Sequence, residues 1–255
     1  MERINSKQNQ TIKEIKKLHT HKGRQKSGEY LIESWHLVQE AINYLNLNQV
    51  VTILATEDQY LAHGDDLSGE NIIVISDEIA AELSDTSTTQ GIFAVCKIEE
   101  QSFNVQKDSG AWLLLDNVQD PGNIGTMVRT ADAAGFAGVI FGDGTSSEYN
   151  GKVLRAMQGS QFHLPVIRMN LKKAMEIFKA QHVKIYGTEL NPDAINYQDV
   201  QPMDNFALIM GNEGNGMNKD LLKMTNDNLY IPIKGNAESL NVAIAAAVIM
   251  FRIKS

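Results

Sequence analysis

Residues 116–135, DNVQDPGNIGTMVRTADAAG, decide the fold of this chain. They follow the apolar run Trp112–Leu115, contain a turn at Pro121 and continue into a helical pattern over residues 126–134. Asn123 or Thr126 could cap that helix. A short apolar run, a Gly-containing turn and a helix in this order predict a buried strand of an α/β sheet, whose carboxyl end is where ligands bind in such folds.

The same alternation continues to the end of the chain and predicts a mostly parallel sheet. The predicted strands are residues 139–141, 183–186, 206–210 and 229–233, and the predicted helices are residues 152–157 and 171–180. Before residue 97 the pattern predicts a helix over residues 35–45, a loop over residues 61–69, and strands over residues 50–55, 72–75 and 92–95. We therefore predict an N-terminal domain (1–96), a polar linker (97–110) and a C-terminal α/β domain (111–255).

Two further Gly- and Asn-rich stretches each follow a predicted strand. They are residues 210–217, MGNEGNGM, and residues 231–242, IPIKGNAESLNV. The spacing in the former is the reverse of the dinucleotide-binding fingerprint, and the chain contains no GxxxxGK[ST] phosphate loop, which argues against those two classes of nucleotide-binding enzyme. Taken singly, each stretch favours the simpler interpretation that its glycines only form tight turns.

Charge is distributed unevenly along the chain. The 255 residues carry a formal net charge of −8, but residues 1–30 hold eight Lys/Arg against three Glu, a net of +5, which leaves −13 for the remainder. This asymmetry predicts either a basic arm that grips a polyanion or the solvated face of a helix that buries Ile12, Ile15 and Leu18.

Several classes of protein are disfavoured by composition. The chain is 43% hydrophobic, has no run of about 18 apolar residues and begins with a polar segment, so we predict a cytoplasmic protein with no membrane partner. Its single cysteine, Cys96, excludes an internal disulfide and a CxxC site, and it is predicted to be a small buried strand residue. The six histidines lack metal-ligand spacing, so no metal is predicted.

Residues 237–253 predict a final helix that is apolar on nearly all faces. Such a helix must be buried on all sides. The burial could come from a second subunit or from the core of one subunit.

Taken together, the three Gly- and Asn-rich stretches resemble, in order, the three signature motifs of the SpoU (TrmH-like) ribose 2′-O-methyltransferases of the SPOUT superfamily. Residues 22–95 also resemble the N-terminal substrate-binding domain of the bacterial rRNA methyltransferases in that family, through residues 30–40, YLIESWHLVQE, and 83–91, LSDTSTTQG. The resemblance implies a C-terminal SPOUT-type α/β domain with a trefoil knot. It also implies a smaller N-terminal α/β domain that binds RNA.

The resemblance further implies the chemistry and the partners. The methyl donor would be S-adenosylmethionine, the substrate a ribose 2′-OH in RNA, with 23S rRNA ahead of tRNA, and the enzyme a homodimer built on its C-terminal domain. The matching motif positions give a donor pocket of Gly211, Ile231 and Leu240, and a catalytic and substrate-facing set of Asn123, Arg129, Glu213, Ser239 and Asn241. The alternatives are a tRNA 2′-O-methyltransferase, a non-catalytic ribosome assembly factor of the same fold, and an unrelated nucleotide-binding enzyme.

The chemistry of the side chains suggests their roles. A guanidinium with a pKa above about 12 is a poor base, so we expect Arg129 to orient the target ribose and its phosphate and to stabilise the developing alkoxide. Glu213 could hold Arg129 or accept the proton. Ser239 and Asn241 could align the loops and the target nucleotide, or cap the final helix.

Overall fold

The computed structural model describes residues 2–46, 48–99, 103, 109–191 and 193–255. In it, residues 112–115 form a strand inside a parallel sheet. The chain forms two compact units. The N-terminal unit comprises Met1–Glu100 together with Tyr149–Phe162, and the C-terminal unit comprises Gln101–Glu148 together with His163–Ser255.

The N-terminal unit alternates strands and helices. Its elements up to residue 97 are β1 (Glu2–Ile4), α1 (Gln10–Lys17), α2 (His21–Ser27), β2 (Glu29–Glu33), α3 (Trp35–Tyr44), β3 (Val50–Ala55), α4 (Glu57–His63), β4 (Ile72–Ile75), α5 (Asp77–Leu83) and β5 (Ile92–Lys97). The strands form a mixed sheet in the order β1-β4-β3-β5-β2, in which β1, β4 and β3 are parallel and β5 is antiparallel to both of its neighbours.

The basic N-terminal segment is part of this unit and is not a detached arm. β1 pairs with β4, and the apolar side chains of α1 are buried in the same cluster as the sheet residues. Asn9 caps α1 and Thr20 caps α2 through their side-chain oxygens, which explains where the two helices begin. Arg24 is buried and donates to the backbone oxygens of Leu18 and His19, so it serves the fold. Of the two alternatives, the structure therefore shows the helix that buries Ile12, Ile15 and Leu18, while binding of a polyanion by this segment stays a prediction.

The rest of the chain forms the parallel sheet, its helices and the segment of residues 149–162 that belongs to the N-terminal unit. In chain order the elements are β6 (Trp112–Leu115), α6 (Pro121–Ala133), β7 (Gly138–Phe141), α7 (Gly151–Met157), α8 (Ser160–His163), β8 (Val166–Arg168), α9 (Leu171–Ala180), β9 (Lys184–Thr188), β10 (Ile195–Asn196), a short 3₁₀ helix (Tyr197–Asp199), β11 (Phe206–Met210), α10 (Lys219–Leu222), β12 (Asp227–Tyr230) and α11 (Val242–Ile253). The strand order is β10-β12-β9-β11-β6-β7-β8, with every recorded pairing parallel.

The centre of this sheet is apolar on both sides. Every residue of β6, β7 and β11 is buried, as expected for strands covered by helices on both faces. β11 and β6 lie side by side, so the loops that follow them, which hold two of the three Gly- and Asn-rich stretches, leave the sheet at the same edge.

Three predicted elements differ from the structure. The strand predicted at residues 229–233 is Asp227–Tyr230, because Pro232 has no N–H to donate to a strand pairing. The loop predicted at residues 61–69 begins inside α4. The final helix starts at Val242 rather than at residue 237, and it buries one face while Ile244 and Phe251 are 52% and 61% exposed.

The predicted domain boundaries divide the chain differently at one place, since residues 149–162, predicted to lie in the C-terminal domain, are grouped with the N-terminal unit. Most of the predicted linker, residues 100–102 and 104–108, lies outside the described residues.

Cys96 is fully buried in β5, as predicted. None of the helices in the described part of the chain has both the length and the apolar character needed to cross a lipid bilayer.

Candidate active site

A cavity of about 310 Å³ lies at the carboxyl ends of β9, β11 and β12 in the C-terminal unit. Its walls come from the loops after these strands and from the start of α11. Gly211, Glu213, Ile231, Ser239 and Leu240 all line it. A cavity of this size, with a mainly apolar lining, falls in the range of roughly 300–1,000 Å³ that is usual for small-molecule sites.

Gly211 occupies a position where a side chain would not fit. A Cβ at this residue would lie 2.3 Å from the backbone nitrogen of Met217. The two ends of the 211–217 turn therefore approach each other at backbone distance, which only glycine permits. Asn212 holds the turn, because its Oδ1 accepts from the backbone N–H groups of Gly214 and Asn215, each at 3.0 Å.

Glu213 is bound to the first residues of α6. Its carboxylate accepts from the backbone N–H of Asp120 at 3.0 Å, from the backbone N–H of Gln119 at 3.3 Å and from the Asn123 side-chain amide at 3.2 Å. Burial acts to raise the pKa of Glu213, but the hydrogen bonds it accepts outweigh that effect and hold the pKa below its usual range. The carboxylate thus fills the position at the helix N-terminus that favours an anion.

Asn123 and Asn241 extend this network. The Asn241 side-chain amide donates to Asn123 Oδ1 at 2.9 Å, while Asn241 Oδ1 caps α11 by accepting from the backbone N–H groups of Ala243 and Ile244. A chain of side-chain hydrogen bonds therefore runs from the start of α11, through α6, to Glu213. The structure brings Asn123, Glu213 and Asn241 together.

Arg129 lies apart from that network. It is exposed on α6, and its side chain has no hydrogen bond or ion pair with any residue that the structure describes. Asn123 and Arg129 are six positions apart on one helix, which separates them by about 120° around its axis. Glu213 therefore binds the start of α6 and not Arg129, so the predicted option that Glu213 holds Arg129 is not realised here.

The remaining predicted residues lie in the cavity wall after β12. Ile231 is half-buried, and Leu240 is 39% exposed beside Ser239. Ser239 precedes the helix, and Asn241 alone provides the side-chain cap of α11. Of the two capping residues considered from the sequence, the structure selects Asn241.

Three residues at the site were missed by the sequence analysis. Besides Gln119, these are Asn212, whose amide also donates to the backbone oxygen of Asn117 at 2.8 Å, and Asp116, which accepts from the backbone N–H of Asn218 at 2.6 Å. Burial raises the pKa of Asp116, and the hydrogen bond from Asn218 offsets only part of that effect. The signal in the sequence was the position of Asp116 directly after β6.

A parallel sheet with a cavity at the carboxyl ends of its strands is typical of the α/β proteins that bind a small-molecule ligand at this edge. Comparison with known proteins identifies the family. The profile of the SpoU rRNA Methylase family matches residues 110–251, and that of the MRM3-like substrate binding domain matches residues 9–94. This chain belongs to the SpoU rRNA methylase family of RNA methyltransferases.

Individual relatives agree with the family profile. The 23S rRNA (guanosine(2553)-2′-O)-methyltransferase RlmP of Bacillus subtilis (strain 168) is 44% identical over 254 residues, which cover 100% of both chains. The crystal structure of an AdoMet-bound rRNA methyltransferase from Sinorhizobium meliloti is similar with a TM-score of 0.85 and 25% identity, covering 98% of this chain and 96% of that one. The SpoU methyltransferase AviRb from Streptomyces viridochromogenes shares the fold, with a TM-score of 0.84, 22% identity, and coverage of 96% of this chain and 97% of that one.

Proposed function

We propose that this protein transfers the methyl group of S-adenosylmethionine to a ribose 2′-OH of 23S rRNA. The observation that carries the proposal is the hydrogen-bonded set of Glu213, Asn123 and Asn241 at the donor cavity. The relative from Bacillus subtilis, which matches along its whole length, supports 23S rRNA ahead of tRNA as the substrate.

The cavity fits the proposed donor. Ile231 and Leu240 supply apolar contacts for an adenosyl group, and the 211–217 turn offers backbone N–H and C=O groups because Gly211 permits close approach. When bound, the donor's sulfonium supplies an electrophilic methyl carbon. The rate would come mainly from positioning, which is worth roughly 7–11 kcal/mol for well-oriented reactants.

Arg129 is proposed to position the acceptor. Its guanidinium is exposed and has no partner among the described residues, so it is available to a phosphate or to the developing alkoxide of the ribose. In the displacement, the 2′-oxygen forms its bond to the methyl carbon while the carbon–sulfur bond breaks and its electron pair remains on sulfur. The hydroxyl proton passes to solvent water.

Glu213 is proposed to act as a positioning residue rather than as the base. Its oxygens already accept hydrogen bonds from the start of α6, and a lowered pKa makes the carboxylate a weaker proton acceptor. Asn123 and Asn241 would keep α6 and α11 in register around it. Ser239 would contact the donor or the target nucleotide from the cavity wall.

The proposed assembly is a homodimer through the C-terminal unit. Ile244 and Phe251 leave an apolar face of α11 exposed in the single chain, which supports a second copy as its cover. Phe251→Glu should yield a monomer in light scattering coupled to gel filtration, and an unchanged mass would contradict this interface. The trefoil knot stays a prediction, and an rRNA substrate supports location in the cytoplasm.

The test of the proposed function measures methyl transfer from radiolabelled S-adenosylmethionine to 23S rRNA and to total tRNA in separate reactions. We expect label in the rRNA, located on a ribose by mass spectrometry and lost in Arg129→Ala. Label only in tRNA would favour the tRNA enzyme. Bound donor without transfer to rRNA, tRNA or ribosomal precursor particles would favour the assembly factor.

A further inference from the structure

A second cavity, of about 510 Å³, lies in the N-terminal unit beside α1, α2, β3 and β5. Its floor is apolar and consists of Ile15, Leu18, Val51 and Val95. Val51 is half-buried, and the other three side chains are buried. We call this cavity the α1–α2 groove.

The edge of the α1–α2 groove is polar. Gln10, Thr11 and Ser27 stand along it and can donate or accept hydrogen bonds. An apolar floor with amide and hydroxyl groups at its edge suits a flat heterocycle, whose faces are apolar and whose edges form hydrogen bonds.

The charges that line the groove balance one another. Lys17 forms an ion pair with Glu14 at 2.7 Å, and the bond lowers the pKa of Glu14. Lys26 and Glu29 are the other charged residues of the lining. The interior of the groove therefore suits an uncharged group.

The two helices beside the groove carry a net positive charge. Residues 10–27, which comprise α1 and α2, hold six Lys/Arg against Glu14 alone, a net of +5 in a chain of net −8. Lys13, Lys22 and Lys26 are exposed, and their amines have no ion pair within the described parts of the chain. These lysines are free to bind an external polyanion.

We propose that the α1–α2 groove receives an unpaired nucleobase of the RNA substrate, while Lys13, Lys22 and Lys26 bind the phosphates on either side of it. The proposal rests on the proposed RNA substrate and adds a nucleotide-binding site outside the methyl-donor cavity. The base must be unpaired, because single-stranded loops expose base faces and edges that a double helix hides. A neutral floor between positive flanks matches the chemistry of a nucleotide.

Cross-linking to the unmodified protein tests the site directly. A 23S rRNA fragment substituted with 4-thiouridine is irradiated with the full-length protein, and the linked peptides are identified by mass spectrometry. We expect cross-links within residues 10–27 or 50–54, which are competed away by single-stranded RNA and not by a matched duplex. Cross-links confined to other peptides would overturn the proposal.

Charge variants test the phosphate contacts. The binding constant for RNA falls as salt rises, and Lys22→Gln combined with Lys26→Gln should make this slope, log binding constant against log salt concentration, shallower by about 1.4. Each contact to single-stranded RNA contributes roughly 0.7 to the slope. Lys173→Gln combined with Lys179→Gln, two exposed lysines on α9, is the matched control and should leave the slope unchanged. Equal slopes for both double variants would contradict the proposal.

A floor variant separates this proposal from the proposed function. Val51→Glu should weaken RNA binding at least about tenfold, because it places a carboxylate against RNA, while Val51→Thr should bind nearly normally. Thermal unfolding checks that both variants fold. If Val51→Glu keeps normal RNA affinity and still methylates rRNA, the groove is wrong and the function stands. If the unmodified protein methylates no RNA, the proposed function itself fails.

Discussion

Polar side chains are held in two different ways in the two units. At the proposed donor cavity, Glu213, Asn123 and Asn241 are joined to one another and to backbone groups at 2.9–3.3 Å. On α2, by contrast, Lys22 and Lys26 extend into solvent without a partner among the described residues. The difference separates residues that define a geometry from residues that supply a charge.

These two arrangements should respond differently to substitution. A residue with fixed partners leaves those partners unsatisfied when it is changed, which costs more than the bond itself contributed. Replacement of a solvated lysine removes only one charge, whose interactions are screened by salt and water. Arg129 belongs to the second kind by its contacts, although it lies in the unit that holds the proposed donor cavity.

Removal of residues 1–27 has the largest expected effect, because it removes packed apolar side chains together with the charges of this segment. The deletion removes Ile4, Ile12, Ile15 and Leu18, all of them buried. At about 2–5 kcal/mol for each large apolar side chain, the loss reaches roughly 8–20 kcal/mol, which equals or exceeds the roughly 5–15 kcal/mol that stabilises a typical protein. Circular dichroism should show that the N-terminal unit is unfolded. A cooperative transition at the original temperature would contradict the packing role.

Arg129→Ala should lower kcat for methyl transfer by about 10²–10³-fold, the usual effect of removing one group that stabilises a developing oxyanion. Since Arg129 has no partner in the described structure, the thermal midpoint and the donor Kd should stay the same. Single-turnover kinetics and calorimetry make these measurements. A parallel loss of donor affinity would place Arg129 with the fixed residues instead.

Glu213→Gln should weaken donor binding about tenfold. The amide of Gln has one oxygen, so either the backbone N–H of Asp120 or that of Gln119 loses its acceptor. The folded-state pKa of Glu213 is lowered, so its contribution to stability is present above the usual carboxyl pKa and is lost as the pH falls through the lower, folded value. The difference in midpoint between the two proteins should therefore shrink in acid. Glu176→Gln, at an exposed position of α9, is the control, and equal effects of both variants would argue against the anchoring role.

Ser34→Gly should give the smallest change, an increase in the thermal midpoint. It tests whether a side chain with a fixed hydrogen bond can hold the backbone in a strained conformation. Ser34 has a φ of 111°, a region nearly reserved for glycine, while its hydroxyl accepts from the backbone N–H of Leu37. Relief of strain worth about 1–3 kcal/mol exceeds the few tenths of a kcal/mol lost with the cap, so the midpoint should rise, at about 2–4 °C for each kcal/mol of net gain. Ser34→Ala keeps the strain and loses the cap, and should lower it. A lower midpoint for Ser34→Gly would refute the strain.

The fold was predictable where a strand is fully buried. The bounds of β6 and β11, in which every residue is buried, match the predicted ranges, because an apolar run between turn residues has few alternatives. The bounds of β3, β4 and α9 also match, although each of these elements has half-buried or exposed positions. β1 was not predicted, since its three residues are polar at two positions and its pairing with β4 depends on contacts distant in sequence.

The residues at the site were predicted from motifs, but their connections were not. The motif positions gave Asn123, Glu213 and Asn241 as members of one set. That Glu213 binds the start of α6, and that Asn241 joins Asn123, depends on loops about 90 and 118 positions apart in the sequence meeting at one sheet edge. A local sequence pattern does not show which residues so far apart in the chain are in contact.

The membership of α7 in the N-terminal unit means that this unit is assembled from two separate stretches of chain. Tyr149 packs on Tyr30 with ring centroids 4.8 Å apart, Arg155 lies 3.8 Å from Glu33, and His36 bonds to the backbone oxygen of Gln158 at 2.9 Å. A protease nick between residues 97 and 110 would therefore leave two fragments that stay associated without a covalent link. Expressing the N-terminal unit alone would therefore require residues 149–162 to be joined to residues 1–100.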